Sequence, residues 1–161
     1  ECVQTGVPAA WFAGGIPTGP LAMFHTTRSW VEKPSQPGVV LVGDAAGASN
    51  PSFGCGLALT LRDVRVLSDH LLATTEWEAA TLAYAYDHAD YYAKLCRKED
   101  WLTKLFYELG PTANQRRALV APLHRKEPER DVDIVGLGPD ERCDEQARIR
   151  FFGEDILRRR A

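Results

Sequence analysis

Residues 38–72 read GVVLVGDAAGASNPSFGCGLALTLRDVRVLSDHLL, and the order of residue types in this stretch decides the fold class. Val39-Val40-Leu41-Val42 is a continuous apolar run, the pattern of a strand buried on both faces. Regularity then stops. Gly43-Asp44-Ala45-Ala46-Gly47 is small throughout and carries one carboxylate. Asn50-Pro51-Ser52 is turn chemistry, because Pro fixes φ and Asn tolerates the left-handed region. After Gly54-Cys55-Gly56, the residues Leu57, Leu61, Val64, Leu67 and Leu71 recur at steps of three and four, one stripe of a helix. Strand, glycine-rich loop and helix together predict an α/β fold, α+β in this portion of chain.

Such a unit has a physical use. A helix N-terminus presents unpaired N–H groups and a partial positive charge. Gly54 and Gly56 at its mouth remove side chains, so a ligand can approach the backbone. Asp44 follows the strand, where α/β sheets place ligand groups, and a carboxylate accepts hydrogen bonds from a polyol or ribose. The plainer alternative is a tight strand-to-helix turn with a capping Asp and packing glycines. An enzyme binding a phosphate or sugar at the same loop is a further alternative.

The residues Gly43-Asp44-Ala45-Ala46, Pro51, Gly54-x-Gly56-Leu57 and Asp63 together resemble the second FAD motif of the flavoprotein monooxygenases and related FAD-dependent oxidoreductases. The resemblance includes the geranylgeranyl-reductase-like branch. It implies the C-terminal part of an FAD-binding Rossmann-type domain, in an enzyme whose flavin is reduced by NAD(P)H. By that resemblance Asp44 holds the ribityl hydroxyls, and Pro51, Gly54, Cys55, Gly56 and Leu57 line the flavin. Gly43, Ala45, Ala46 and Ala58 complete the implied cofactor contacts. Gly47 stands where many aromatic hydroxylases have His, and Ala58 where many have Asn; Gly47 is more like the reductase branch. The implied partners are a small-molecule substrate and the N-terminal Rossmann part of the same parent protein.

The chain has 161 residues, a net charge of −3, 45% hydrophobic and 25% charged residues. That composition suits one globular unit and gives no reason to expect nucleic acid as partner. No apolar run approaches the roughly 20 residues of a membrane span. Four cysteines, at 2, 55, 96 and 143, have neither metal-ligand nor disulfide-framework spacing, which fits a reducing cytoplasm. Cys55 reads as a small residue filling a tight space, the alternative being a reactive thiol at a helix N-terminus. The chain opens at Glu1, its only methionine is Met23, and no GxGxxG follows a strand. The C-terminal part of a longer flavoprotein is the simplest account; processing and a natural short homologue are the others.

Three segments are expected. Residues 1–37 hold glycine- and proline-rich chain, a helical turn or strand end near Val7–Phe12, and a strand over 21–32, which the resemblance makes the end of a substrate-domain sheet. There Phe24, His25 and Trp30 either pack the sheet or face a substrate pocket. Residues 38–109 hold the strand–loop–helix unit and a second helix from about Glu78 to Leu109, with a kink near Cys96–Trp101. Its apolar face is expected on residues such as Leu82, Tyr86, Leu95, Leu102 and Phe106, with Tyr84, Tyr91 and Tyr92 adding core area. Residues 110–161 form a C-terminal extension: a short helix over 112–121, an extended segment over 122–141, a helix over 142–150, docking Phe151 and Phe152, and a solvated arginine tail. His25, His70, His88 and His124 read as isolated, and Asp87, His88 and Asp90 are too close in sequence to share one helical face as metal ligands. Taken without sheet neighbours, Val39–Val42 are expected to be partly exposed, and the chain alone could be a non-catalytic interaction module.

Overall fold

The computed structural model describes residues 8–11, 13–16, 18, 19 and 28–158. It is mixed but mostly helical. After a short helical turn at Ala9–Trp11 come four two-residue strands: β1 (Ser29–Trp30), β2 (Ser35–Gln36), β3 (Val39–Val40) and β4 (Gly47–Ala48). They make two antiparallel pairs, β1 with β4 and β2 with β3. Helix α1 (Gly56–Ala73) packs on the 30-residue α2 (Trp77–Phe106), and α3 (Pro111–Lys126), α4 (Glu145–Phe151) and α5 (Glu154–Arg158) complete the chain.

The apolar run at 39–42 corrects one expectation. Only Val39 and Val40 are extended in a ladder, and Val39 is 61% exposed instead of buried on both faces. Among the described residues its partner strand is the other arm of a two-residue hairpin, which covers one edge and no face. The partial exposure expected for a strand without sheet neighbours is therefore seen.

The helices form where expected, and their buried faces match the expectation only in part: Tyr84, Tyr91, Tyr92, Leu95 and Leu102 are buried as expected. On α1 the first part of the stripe turns outward: Leu57, Leu61 and Val64 are 74%, 62% and 48% exposed, while Leu67 and Leu71 are half-buried and Leu59 and Asp63 are buried. On α2, Leu82, Tyr86 and Phe106 are exposed, and the buried seam is Tyr84, His88, Tyr91, Leu95, Lys98, Leu102 and Leu105. The expected kink is absent; α2 runs unbroken through Cys96–Trp101. Helix α3 extends past 121 and takes in Pro122, ending on His124, Arg125 and Lys126, whose charges suit a helix C-terminus. The segment expected to be extended is therefore helical to Lys126, with further helical turns at Pro128–Arg130 and Gly138–Asp140. Helix α4 begins three residues later than expected because Asp144 caps it, accepting from the Ala147 N–H at 2.9 Å.

One core joins these elements. Leu59, Tyr92, Leu95, Leu102, Leu105, Val120 and both docking phenylalanines are buried together. Trp101 lies 5.9 Å from Phe151, and Phe151 meets Phe152 edge-on at 4.9 Å. Among the described residues, no helix is long and apolar enough to cross a membrane. Phe24, His25, Arg159 and Arg160 lie outside the described residues; Trp30 is exposed on one side and sits 6.0 Å from the Tyr92 ring.

Candidate functional site

The loop from Leu41 to Gly56 is held from beneath by α1 and α2. Gly43 opens a helical turn over Gly43–Ala45 at φ +59°, where a side chain would be strained. A Cβ there would lie 2.7 Å from Thr60 Oγ1, so the close approach of loop to α1 also requires glycine. The Gly43 N–H donates to Asp63 Oδ2 at 2.7 Å. Three tyrosines of α2 complete the attachment. Tyr84 donates to Leu41 O at 2.9 Å; Tyr92 Oη lies 2.8 Å from Ser29 O and 2.5 Å from Ala48 O; Tyr91 donates to Asp63 Oδ1. Burial raises the Tyr84 and Tyr92 phenols above their ordinary range, so both remain donors.

Asp63 is the keystone, 1% exposed. Besides Gly43 and Tyr91 it faces His88, whose Nδ1 lies 3.0 Å from Asp63 Oδ1. A carboxylate oxygen accepts, so Nδ1 carries the ring proton in this contact and Nε2 is left buried without a partner. The imidazole stacks on Tyr92 at 5.6 Å and 10°. Above that stack lies Gly47: a Cβ there would meet the Tyr92 ring at 3.0 Å and His88 Nε2 at 3.4 Å. A larger side chain has no room at this position. His88 is thus not isolated, and neither is His70, whose Nε2 lies 2.7 Å from Asp87. Sequence reading missed the Asp63–His88–Tyr91 group; its signal was the alternation of four and three residues along 84, 88, 91, 95, 98, 102 and 105.

The mouth of α1 is the opposite kind of place. Asn50 accepts from the Ser52 N–H at 3.0 Å, starting a turn over Pro51–Phe53 that ends at Gly54 in the left-handed region, φ +71°. Nothing lies within 4 Å of a Cβ built on Gly54. Helix α1 then starts with no side-chain cap and no acidic residue in its first turn. Asp44 is exposed and makes no hydrogen bond among the described residues, and its Oδ1 is 3.7 Å from a Cβ built on Gly56. Uncapped N–H donors and a free carboxylate acceptor therefore sit side by side.

The residues singled out in the sequence divide between these environments. Asp44, Ala45, Pro51, Gly54 and Leu57 are exposed around the mouth, with Gly56 half-buried between them. Gly43 and Ala46 are buried and shape the loop. Cys55 is buried, its Sγ 3.4 Å from Phe53 O and 3.6 Å from Ile134 O. Desolvation, with Glu99 nearby, pushes its thiol up to about 11, the reverse of a reactive thiolate. Ala58, with Cys55, lines a separate cavity toward residues 134–140.

One titratable group holds the loop from the α2 side. Glu99 is 2% exposed; its Oε1 accepts from the Asn50 N–H at 3.1 Å and its Oε2 has no partner. Burial raises its carboxyl to about 7 and Asp100 adds to this, opposed by the Asn50 N–H and the Arg28 guanidinium. Among the described residues, no group of His, Cys, Asp and Glu has the arrangement to hold a metal ion. Compared with known proteins, the chain matches no family model, no curated protein and no solved structure.

Proposed function

We propose that this chain supplies the ribityl- and ring-binding half of an FAD site in a flavin-dependent oxidoreductase, monooxygenase-like or of the geranylgeranyl-reductase type. The observation that carries the reading is the pairing at the α1 mouth of a free acceptor, Asp44, with uncapped backbone donors. A bare phosphate would be drawn to the donors and repelled by the carboxylate. A flavin carries both complements: ribityl hydroxyls to donate to Asp44, and ring carbonyls to accept from the first-turn N–H groups. The open space at Gly54 and the shallow contact at Gly56 leave the backbone reachable by a flat ring, so the residues present fit the group.

FAD, when bound, accepts hydride from NAD(P)H and passes two electrons on to its oxidant. This chain's residues bind and orient. Asp44 fixes the ribityl chain, the α1 N-terminus stabilises electron density on the ring edge, and Pro51 and Leu57 offer an apolar wall that excludes water. The outward stripe of Leu57, Leu61 and Val64, with Val39, supports a covering partner; in this reading that is the Rossmann part of the parent protein, which would hold the pyrophosphate.

Flavin titration separates this reading from its rivals. With only the ring and ribityl half present, riboflavin and FAD are expected to quench with similar, weak, saturable curves, and Asp44→Ala to weaken both about tenfold or more. Absence of saturable binding by either, or identical curves for Asp44→Ala and wild type, would overturn the assignment. A tight stoichiometric complex with FAD alone would place the pyrophosphate site within this chain.

A further inference from the structure

A second cavity, of about 400 Å³, lies between α1 and residues 134–140. Its inner wall is Leu59, Leu95 and Ile134, all buried, and its rim is Leu61, Val135 and Leu137, all exposed. The wall formed by the loop is fixed. Leu137 and Gly138 donate their N–H groups to Asp133 O at 3.0 Å. The buried Lys98 donates to Gly138 O and reaches Glu141 Oε2 at 3.0 Å. An apolar slot whose walls are held open and whose rim leaves three large aliphatic side chains in water is built to receive apolar matter.

The polar end of the slot says what kind. Arg62 and Arg65 line it, one turn apart on α1, with Asp140 opposite. Arg62 forks onto Asp140 through both terminal nitrogens at 2.8 Å and lies 4.9 Å over the Tyr91 ring. That pairing holds the Asp140 carboxyl below the usual carboxylate range. The Arg62 Nε–H is buried without an acceptor, and Arg65 has neither a hydrogen bond nor an ion pair among the described residues. Among the charged side chains that line the slot, Arg65 is the cation left without an ion pair, beside an aliphatic wall.

We propose that this cavity binds a monoanionic amphiphile, a carboxylate on an unbranched aliphatic chain, with its head at Arg65 and its tail along Leu59, Leu95 and Ile134. The head is a carboxylate because one negative charge matches the one uncompensated cation. A phosphate monoester would bring a second charge with no partner in the slot. The site borders the α1 mouth through Cys55, Ala58 and Leu61, but Arg65, Leu95 and Ile134, which carry the proposal, take no part in the flavin reading.

Decanoate, titrated calorimetrically into the full chain below its micelle concentration, tests the proposal, with 1-decanol and decyl phosphate as comparators. The expected result is one saturable decanoate site, with decanol and decyl phosphate each at least tenfold weaker. Arg65→Gln, at an exposed position that does not support the core, is expected to weaken decanoate about tenfold and leave decanol unchanged. Leu137→Asp is expected to weaken decanoate and decanol alike, with far-ultraviolet circular dichroism unchanged. Absence of a saturable site, equal affinity for decanoate and decanol, tighter binding of decyl phosphate, or an Arg65→Gln curve identical to wild type would each overturn it.

Discussion

Asp44 and Asp63 belong to the same loop-and-helix unit and share a side chain, yet the fold treats them in opposite ways. Asp63 is buried, and Gly43 N–H, His88 Nδ1 and the Tyr91 hydroxyl all converge on it. Asp44 is exposed beside an uncapped helix start and has no partner among the described residues. A carboxylate already saturated by the protein's own donors has no capacity left for a ligand. One left free at a site rich in donors is available to bind, and contributes nothing the fold needs. The comparison separates the residues that build the loop from those that the loop presents.

The largest expected effect follows from emptying the buried position. Asp63→Ala leaves three donors without an acceptor in a place water does not reach, and it releases Gly43 from α1. Removing one member of a buried hydrogen-bonded group costs about 3–5 kcal/mol, so chemical denaturation followed by helix circular dichroism should show a loss of that order. Asp63→Asn keeps one acceptor oxygen and should lose less. A loss under about 1 kcal/mol for Asp63→Ala would break the distinction between the two aspartates.

Glu99 tests the same loop from the other side. Its folded carboxyl titrates near 7, above the roughly 4.3 of an unfolded Glu, so the folded state holds the extra proton between those values. Stability should therefore be full below about pH 4.5 as far as this group is concerned, fall as pH rises toward 7, and level off beyond. The linked loss is at most about 3–4 kcal/mol by the roughly 1.4 kcal/mol per pKa unit relation. Glu99→Gln keeps an acceptor for the Asn50 N–H and removes the titration. Its denaturation midpoint should be nearly flat across that range and above wild type at pH 8; parallel pH profiles for the two proteins would sink the idea.

Gly47 sharpens the comparison sterically. Gly47→Ala puts a methyl 3.0 Å from the Tyr92 ring, inside the stack that carries His88. Overpacking of this kind costs about 1–3 kcal/mol, and Tyr92 has little room to yield, being buried in the core, stacked on His88 and held at its hydroxyl. Thermal unfolding of the variant measures it, and an unchanged midpoint would mean that the stack yields freely.

How these residues divide also shows what could be read in advance. Helices α1 and α2 were legible because long 3.6-residue periodicity without Gly or Pro has few other outcomes. The choice of face was legible only in part, because the buried sides also carry Asp63, His88, Lys98 and Glu99, and polar residues counted as solvent-facing hide a seam that hydrogen bonds make inward. The strand at 39–42 was overread for a related reason. Four aliphatic residues report affinity for an apolar partner, and the described residues offer only the hairpin arm at Ser35–Gln36. Within the loop, the turn at Asn50-Pro51-Ser52 was legible from its residue types, whereas the crowding that demands Gly47 comes from α2, more than forty residues away, and has no local signature.

The smallest expected effect on the fold is the most telling for function. Asp44→Ala removes a side chain that meets water on its open side and accepts no hydrogen bond among the described residues. A surface change of this kind falls within about 0.5 kcal/mol of wild type. The one term working against neutrality is the attraction of a carboxylate for a helix N-terminus, about 0.3–1 kcal/mol at low salt and less when screened. Denaturation in low and in high salt separates these contributions. The expected outcome is a small loss at low salt that vanishes at high salt, beside the tenfold loss of riboflavin binding at the same residue. A stability loss comparable to that of Asp63→Ala, persisting in high salt, would mean that Asp44 holds the loop together. It would then be a second Asp63, and the α1 mouth would have no free acceptor to offer a ligand.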